Sequence, residues 1–328
     1  MKVGLEVRRQ FAVATAVLLC IISLTVEAGD GPLDADGRAE ALLSRMNAAQ
    51  GDLDYEGTLV YLHGQRLAAL HITHRVENGV SRESLLALSG PIRAVARNDR
   101  GVTCMLPDSQ PISVPSGTAG SSLLRSGPFD YDRIRRHYLL HELGASRVAG
   151  RDTDVVGLVP RDDYRYGYRF FIDRDSGLPL KIDLMDDRAD PIEQVMFTTV
   201  AIVPRRASAP SAPRHVASSL QASAAQEAAA IDAAGWMLTA MPPGFAVIDQ
   251  HGGPPEAPSL QHLMVSDGLA SASVYIEPAD GDGLEGATQM GAITAVGRRI
   301  GDHQATVVGE VPELTARMLL DGLRPPQR

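Results

Sequence analysis

The sequence predicts a strongly curled antiparallel β-sheet, a barrel or half-barrel, followed by a smaller second domain. Short apolar strand patterns alternate with turn signals through residues 53–203. One helical pattern precedes these strands and a second interrupts them, and helices are the natural filling for the concave side of a sheet with some ten strands. A stretch rich in Ala, Ser and Pro then separates this region from the rest of the chain, because such a composition cannot bury a core.

The first thirty residues resemble a signal peptide. Basic residues precede an apolar run from Phe11 to Val26, and small residues follow it. The run has sixteen residues, whereas a membrane span needs ~20, so cleavage after Ala28 is favoured over an uncleaved anchor. Lipidation of Cys20 is disfavoured, because a large residue directly precedes it. We predict a signal peptide over residues 1–28 and an exported chain, in which Cys104 is a buried, inert thiol rather than a reactive or intermolecular one.

The predicted larger domain, residues 29–204, begins with a helix from Arg38 to Asn47 that is capped by Asp36. A second helix is predicted from Asp130 to Leu143. The remaining elements form an antiparallel meander whose turns contain Gly, Asn, Asp and Pro. The predicted strands are Tyr55–Leu62, Arg66–Val76, Val80–Leu88, Ile92–Arg97, Val102–Leu106, Pro111–Val114, Arg147–Pro160, Tyr164–Asp173, Leu178–Asp186 and Ile192–Val203.

One predicted strand is unusually aromatic. Tyr164, Tyr166, Tyr168 and Phe170 occupy alternate positions, and side chains with a period of two share one face of a strand. A turn rich in Asp and Gly and a second alternating apolar run complete a hairpin with one broad apolar face. This face either belongs to a closed core or lines a cavity inside the half-barrel, and the pattern alone is compatible with both.

Residues 205–230 are predicted to be a flexible linker, since 17 of these 26 residues are Ala, Ser or Pro. The segment from Ser218 to Ala234 is rich in Ala and Gln and could form a short helix closed by Gly235. The smaller domain is then expected over residues 231–323.

Candidate metal-binding and catalytic residues are few. His137 and His141 are spaced i, i+4 on the predicted second helix, but no third ligand is obvious. His71 and His74 would point to opposite faces of a strand. Nucleophile elbows, phosphate-binding loops and zinc-protease motifs are absent from the sequence. A binding protein without a cofactor is therefore predicted, and an enzyme is the weakest alternative.

Charge narrows the choice of partners. The formal net charge of −9 argues against nucleic acid, which requires a basic surface. Arg133, Arg135 and Arg136 could contact anionic headgroups, although a charged helix face paired with Asp130 and Asp132 is the simpler interpretation.

Five segments, taken in order, resemble the MucB/RseB family of periplasmic regulators of the envelope-stress sigma factor. Neither the linker nor residues 116–126 match recognisably. The segments are LDYEGTLVYLHGQRLAALHITHRVENG (53–79), VTCMLPDS (102–109), YRYGYRFFIDRDSGLPLKIDL (164–184), HLMVSDGLASASVYIEP (262–278) and VGRRIGDHQATVVGEVP (296–312).

The resemblance implies an unclosed antiparallel β-barrel with inner helices, like the LolA/LolB lipoprotein carriers, joined to a smaller α+β domain. Such proteins reside in the periplasm and bind the periplasmic segment of a single-span, MucA/RseA-like anti-sigma factor. They shield it from the first of two regulatory proteases and release it when envelope lipids or mislocalised lipoproteins signal stress. The alternative is a lipid or lipoprotein carrier, which leaves the smaller domain unexplained. The sequence also leaves a homodimer open.

A lipid-binding site is predicted beside Tyr166, Tyr168 and Phe170 in the larger domain. Acyl chains of a lipid, lipopolysaccharide or lipoprotein would bind there, because each methylene removed from water contributes roughly 0.8 kcal/mol.

A partner-binding site is predicted at Gly297–His303 in the smaller domain. Arg298, Arg299 and His303 stand there at a strand end and turn, where a loop presents side chains to a partner. Solubilising surface charge is the alternative explanation for the two arginines. The linker is the expected hinge between two sites whose occupancy is coupled.

Overall fold

The computed structural model describes residues 35–64, 66–77, 80–89, 94–97, 101–105, 112–115, 130–203, 235–252, 259–279, 281 and 283–326. The predicted signal peptide, the linker and the helix from Ser218 to Ala234 lie outside these residues. So does the side chain of Cys104, whose predicted burial stays a prediction.

The larger sheet is antiparallel throughout and is built from eleven strands. Its strands are β1 Asp54–His63, β2 Arg66–Glu77, β3 Val80–Ala87, β4 Ala94–Arg97, β5 Gly101–Met105, β6 Ile112–Pro115, β7 Tyr138–Val148, β8 Arg151–Pro160, β9 Gly167–Asp173, β10 Pro179–Met185 and β11 Pro191–Val203.

The strand order is β6-β5-β4-β3-β2-β1-β11-β10-β9-β8-β7, so β6 and β7 are the two edges and the barrel is unclosed. The predicted fold class is therefore confirmed. The first and last strands meet in the middle of the sheet, where Asp54 is opposite Val203 and His63 is opposite Glu193. Gly57 is required at this pairing, because a Cβ atom there would lie 2.2 Å from the carbonyl oxygen of Thr199.

The first helix, α1 (Ala35–Asp52), packs against β7 and β8. Ala39, Leu43 and Met46 lie on its inner face and are fully buried in the core. The predicted helix is thus present, although it is longer at both ends. Asp36 lies within α1, so its predicted role as the cap is wrong.

The second helix is much shorter than predicted. Helix α2 (Tyr131–His137) begins after Asp130, whose carboxylate accepts the Arg133 N–H at 3.0 Å, and ends at Tyr138, where the backbone is extended. The predicted helical continuation to Leu143 is wrong, because this segment is strand β7. Leu140 is buried, whereas Leu139 and His141 on either side of it are exposed. This alternation has the two-residue period of a strand.

The predicted strand Arg147–Pro160 begins too early, since it includes the end of β7 and the whole of β8. Ala149 and Gly150 form the turn between β7 and β8, with φ angles of 49° and 76°. Consecutive left-handed residues are the geometry of a tight hairpin turn.

The strands of the smaller domain are β12 Met237–Leu238, β13 Ala246–Gly252, β14 Gln261–Ser266, β15 Ser271–Pro278, β16 Gly286–Met290, β17 Ile293–Ile300, β18 His303–Gly309 and β19 Leu323–Arg324. Strands β13 to β18 form a six-stranded antiparallel sheet with the order β13-β14-β15-β18-β17-β16, and β12 pairs with β19. The helix α3 (Glu313–Gly322) packs on β17 and β18, which confirms an α+β domain. None of the helices in the described ranges has the length and apolar character needed to span a bilayer.

Candidate functional site at the domain junction

A buried ion pair joins the two domains. Arg165, in the loop between β8 and β9, donates from Nη1 to Oδ2 of Asp267 at 2.5 Å, and both side chains are fully buried. Asp267 lies in the turn between β14 and β15, where its Oδ1 accepts the N–H groups of Leu269 and Ala270 at 2.8 and 2.7 Å. The Asp267 carboxylate therefore stabilises the β14–β15 turn through one oxygen and binds the larger domain through the other.

The remaining donors of the Arg165 guanidinium are also engaged. Asp162 accepts from Nε at 2.9 Å and from Nη2 at 3.1 Å, and the Pro243 carbonyl accepts from Nη2 at 2.6 Å. The guanidinium lies 5.7 Å from the centre of the Tyr138 ring and 5.2 Å from that of Phe245, distances typical of cation–π contacts. Burial alone would lower the pKa of Arg165, but the hydrogen bonds to Asp162 and the charge of Asp267 raise it. The group is held charged inside the junction.

Further hydrogen bonds cross the junction. Arg133, on α2, donates to the carbonyl oxygens of Gly244 at 2.9 Å and Ser266 at 2.7 Å. The Thr315 hydroxyl at the start of α3 donates to the Tyr164 carbonyl at 2.5 Å. Arg133 therefore connects the two domains. Neither of the roles considered for it from the sequence, contact with anionic headgroups or part of a charged helix face, predicted this.

The neighbouring arginines on α2 behave differently. Arg135 pairs with Asp132 at 3.0 Å and with Glu40 at 3.3 Å, as expected of a charged helix face, and Arg136 is exposed.

His137 packs directly against the smaller domain. A Cβ atom at Gly244, whose φ is +82°, would lie 2.1 Å from Nε2 of His137. Burial, and next the charge of Arg165, lower the pKa of the imidazole. The i, i+4 helical spacing expected of His137 and His141 is not present, because His141 lies on strand β7 and is exposed. Within the ranges described, no three His, Cys, Asp or Glu side chains come together to hold a metal ion.

Acidification is expected to weaken the domain junction through His137. Its pKa is lower in the folded protein than in the unfolded chain, so the unfolded state binds the proton more tightly. The stability contribution is complete above the usual pKa of 6.5 and is lost as pH falls through the folded value. One proton limits the slope to about 1.4 kcal/mol per pH unit.

The measurement is urea unfolding of the full chain at a series of pH values between neutral and mildly acidic. His137→Gln should flatten the profile, whereas His141→Gln, at an exposed position, should leave it unchanged. A profile that His137→Gln does not alter would contradict the assignment.

A groove of about 680 Å³ runs beside the ion pair and is walled by both domains. Its volume is within the range of ligand-binding sites. The larger domain contributes residues from β7 to β11 and from the Arg165 loop, and the smaller domain contributes Gln289, Pro312 and Glu313. Apolar lining residues are Leu143, Leu158, Val159, Pro160, Tyr166, Tyr168, Met185 and Ile192, and acidic ones are Asp162, Asp163, Asp186, Asp187 and Glu313.

The predicted lipid-binding residues are divided between the groove and the core. Tyr166 and Tyr168 line the groove, whereas Phe170 lies inside the core and is fully buried. Tyr168 stacks on Phe170 at 5.9 Å and packs against Tyr138 at 6.4 Å between ring centres. Strand β9 starts at Gly167, so the prediction that Tyr164 and Tyr166 continue the strand is wrong.

The predicted partner-binding residues lie on the β17–β18 hairpin, at the strand end and turn where they were expected. Arg298 donates to Asp321 at 2.8 Å and to the Leu320 carbonyl at 2.9 Å, which ties it to the end of α3. Arg299 is exposed, and His303 packs edge-to-face on Trp236 with ring centres 5.3 Å apart. Arg299 is therefore the freest of the three to meet a partner.

The residues that join the domains were missed at the level of sequence. Arg165 and Asp267 are 102 positions apart, so no local spacing connects them. The available signals were an arginine within an aromatic stretch and an Asp-Gly turn, and both patterns also occur on ordinary surfaces.

Family models identify both domains. The model of the MucB/RseB N-terminal domain matches residues 38–224, and that of the MucB/RseB C-terminal domain matches residues 230–324. The chain belongs to the MucB/RseB family. The predicted resemblance is thereby confirmed.

Individual relatives extend over nearly the whole chain. The sigma factor AlgU regulatory protein MucB of Pseudomonas aeruginosa is 31% identical over 320 residues, which are 95% of this chain and 97% of that protein. The sigma-E factor regulatory protein RseB of Salmonella typhimurium is 27% identical over 88% of this chain and 92% of its own.

Solved structures agree with the family assignment. MucB in the Pseudomonas aeruginosa MucA/MucB complex has a TM-score of 0.64 and 31% identity, with 89% of this chain and 100% of that chain covered. A LolA superfamily protein from Nitrosomonas europaea also matches, at 9% identity and a TM-score of 0.24 over 83% of this chain and 90% of its own.

Proposed function

We propose that this chain is a periplasmic regulator that binds the periplasmic segment of a single-span anti-sigma factor and shields it from regulated proteolysis. Lipid, lipopolysaccharide or lipoprotein acyl chains would release the segment. The strongest support is the likeness over nearly the full length to MucB, a regulator of sigma factor AlgU whose complex with MucA has been solved. The protein acts by binding, and catalysis has no part in the proposal.

The domain junction favours a regulator over a lipid carrier. A carrier needs only an apolar site in one domain, yet here a fully buried ion pair and a groove walled by both domains connect the two. Because occupancy of two sites can be coupled only through an element that both ligands influence, such a junction is a suitable element.

Lipid would act on the junction through Tyr168. An acyl chain that enters the groove beside Tyr166 and reaches Tyr168 must displace its packing against Tyr138. The Tyr138 hydroxyl donates to Oδ2 of Asp267 at 3.3 Å, so movement of this ring disturbs the carboxylate that holds the domains together. The exposed Arg299 on the smaller domain would contact the partner segment.

Lipid and the partner segment are expected to weaken each other's binding. Saturating lipid should raise the dissociation constant of the segment by a factor corresponding to ~1 to 3 kcal/mol, and the segment should weaken lipid equally, because coupling is reciprocal. Anisotropy titrations of a labelled segment, with and without lipid, measure the effect.

Tyr166→Ala at the groove wall should reduce the lipid effect. Aspartate at Tyr168 or Phe170 is a poorer test, since it would bury a charge in the core. Equal dissociation constants with and without lipid would mean that the protein covers the segment but does not release it in response to lipid. Failure of the segment to bind at all would exclude the regulator.

A further inference from the structure

Two large apolar side chains, Leu143 and Val159, form the floor of the junction groove. Leu143 and Val159 are 52% and 47% exposed although they are large and apolar. They lie on the neighbouring strands β7 and β8 and both line the groove. Large apolar side chains that remain half exposed inside a concave surface indicate a binding site more often than isolated surface residues do.

The rim of the groove is acidic. Five carboxylates line it, and of these Asp163, Asp187 and Glu313 are exposed. Glu313 pairs with Arg317 at 2.6 Å, which leaves Asp163 and Asp187 as the two exposed rim charges suited to a test. The two arginines of the groove offset this charge only in part. Arg165 is paired with Asp162 and Asp267, and Arg169, which is 36% exposed, is the one groove arginine that stands against the other four carboxylates. The rim therefore presents net negative charge to a ligand.

This charge discriminates between occupants. An anionic headgroup would face like charge at the rim, so a lipid would occupy the groove through its acyl chain alone, whereas arginine or lysine side chains would be attracted to the rim. The apolar floor excludes a purely hydrophilic cation as a good fit. The matching ligand has basic groups on either side of apolar ones.

We infer that the junction groove binds an extended peptide in which arginine or lysine side chains flank apolar side chains. Because both domains form the walls, such a peptide would contact both and favour their docked arrangement. The inference rests on the proposed function in that the natural peptide would be part of the anti-sigma segment.

The test uses the full chain and a short labelled peptide in which arginine and leucine alternate. Two comparison peptides replace every arginine with glutamine or with glutamate. Fluorescence anisotropy should show the tightest binding for the arginine peptide and the weakest for the glutamate peptide. The difference should shrink at about 0.3 M salt, where screening shortens the reach of the charges to well under ~10 Å.

Variants separate the rim from the floor. Asp163→Asn combined with Asp187→Asn should weaken the arginine peptide about fivefold. The control, Asp132→Asn combined with Asp175→Asn, removes the same charge at side chains that are 88% exposed outside the groove, and should have no effect. Leu143→Ser with Val159→Ser should weaken all three peptides about tenfold, whereas Leu67→Ser, at a side chain that is 63% exposed on β2, should not.

Equal affinity for the three peptides, or an unchanged affinity in the rim variant, would overturn the inference. If the anti-sigma segment binds and loses affinity with Arg299→Ala but not with the rim or floor variants, the groove assignment is wrong and the proposed function stands. If the arginine peptide binds with the expected rim dependence while the segment does not bind, the groove assignment stands and the proposed function is wrong.

Discussion

Asp267→Asn is expected to lower the free energy of unfolding by about 3 kcal/mol, the lower end of what breaking a buried ion pair costs. The substitution keeps an oxygen to accept the N–H groups of Leu269 and Ala270 but removes the charge opposite Arg165. The guanidinium would keep Asp162 and lose its fully buried partner. With its oxygen bound to those N–H groups, the asparagine places an N–H donor opposite Nη1 of Arg165. This buried donor without an acceptor should separate the domains before either one unfolds.

The single tryptophan of the chain makes this separation measurable. Trp236 is buried in the core of the smaller domain, so its fluorescence follows that domain, while far-ultraviolet circular dichroism follows both. In urea, the two transitions should coincide for the wild type and separate for Asp267→Asn.

Two further variants make the experiment specific to the pair. Glu77→Gln removes a carboxylate from an exposed ion pair with Arg82 and should cost no more than about 1 kcal/mol. Combining Asp267→Asn with Arg165→Met should cost less than the sum of the single changes, because the two side chains are in contact. Additive costs, or coincident transitions in Asp267→Asn, would show that the pair does not hold the domains together.

Asp173→Asn should cost about 3 kcal/mol within the larger domain. The buried Asp173 carboxylate accepts from Nε and Nη2 of Arg151 at 2.9 and 2.8 Å, and from the backbone N–H and hydroxyl of Ser176 at 2.9 and 2.5 Å. These contacts fasten the turn between β9 and β10 to β8. An amide cannot accept at both of its terminal atoms, so at least one of these half-buried donors would lose its partner.

The pH dependence of this cost has a definite sign. Burial alone would raise the pKa of Asp173, but the hydrogen bonds from Arg151 and Ser176 hold it below its usual value of 3.8. The stability that the ionised carboxylate contributes is complete above that value and is lost as pH falls through the folded pKa. The difference between wild type and Asp173→Asn should therefore be constant near neutral pH and shrink below pH 3.8.

Asp175→Asn is the matched control for Asp173→Asn. Its carboxylate lies two residues away and also meets Arg151, at 3.4 Å, but its side chain is 88% exposed. Solvent screens such a pair, so the change should cost well under 1 kcal/mol. Similar costs for the two substitutions would mean that burial of Asp173 is not what makes its interaction strong.

Much of the fold could be predicted from the sequence because short local patterns identify its strands. Alternating apolar residues between turn signals located ten of the eleven strands of the larger sheet to within a few residues. The exception, Tyr138–Val148, contains good helix formers, and only pairing with β8 selects the extended form. The turn after it depends on Ala149 taking a positive φ, which is uncommon for alanine and has no compositional signal.

The candidate site was less accessible to prediction, because it exists only between domains. Tyr166 was selected for its place in an aromatic pattern and does line the groove. Phe170 follows the same pattern yet lies in the core, since alternation identifies a buried face without saying what covers it. The contacts of Arg133 and Arg165 with the smaller domain depend on how the two domains meet, which no single segment encodes.

The pairing of β1 with β11 has a consequence for how the chain comes to fold. Thr58 and Thr199 are hydrogen-bonded although 141 positions separate them. The central pair of the sheet thus requires closure of a long loop, a step that slows folding. Strand β11, residues 191–203, pairs with both β1 and β10. During synthesis, neither β1 nor β10 can form this pairing until β11 has been made. Until then each presents an unpaired strand edge, the feature of unfinished sheets that invites association with other chains.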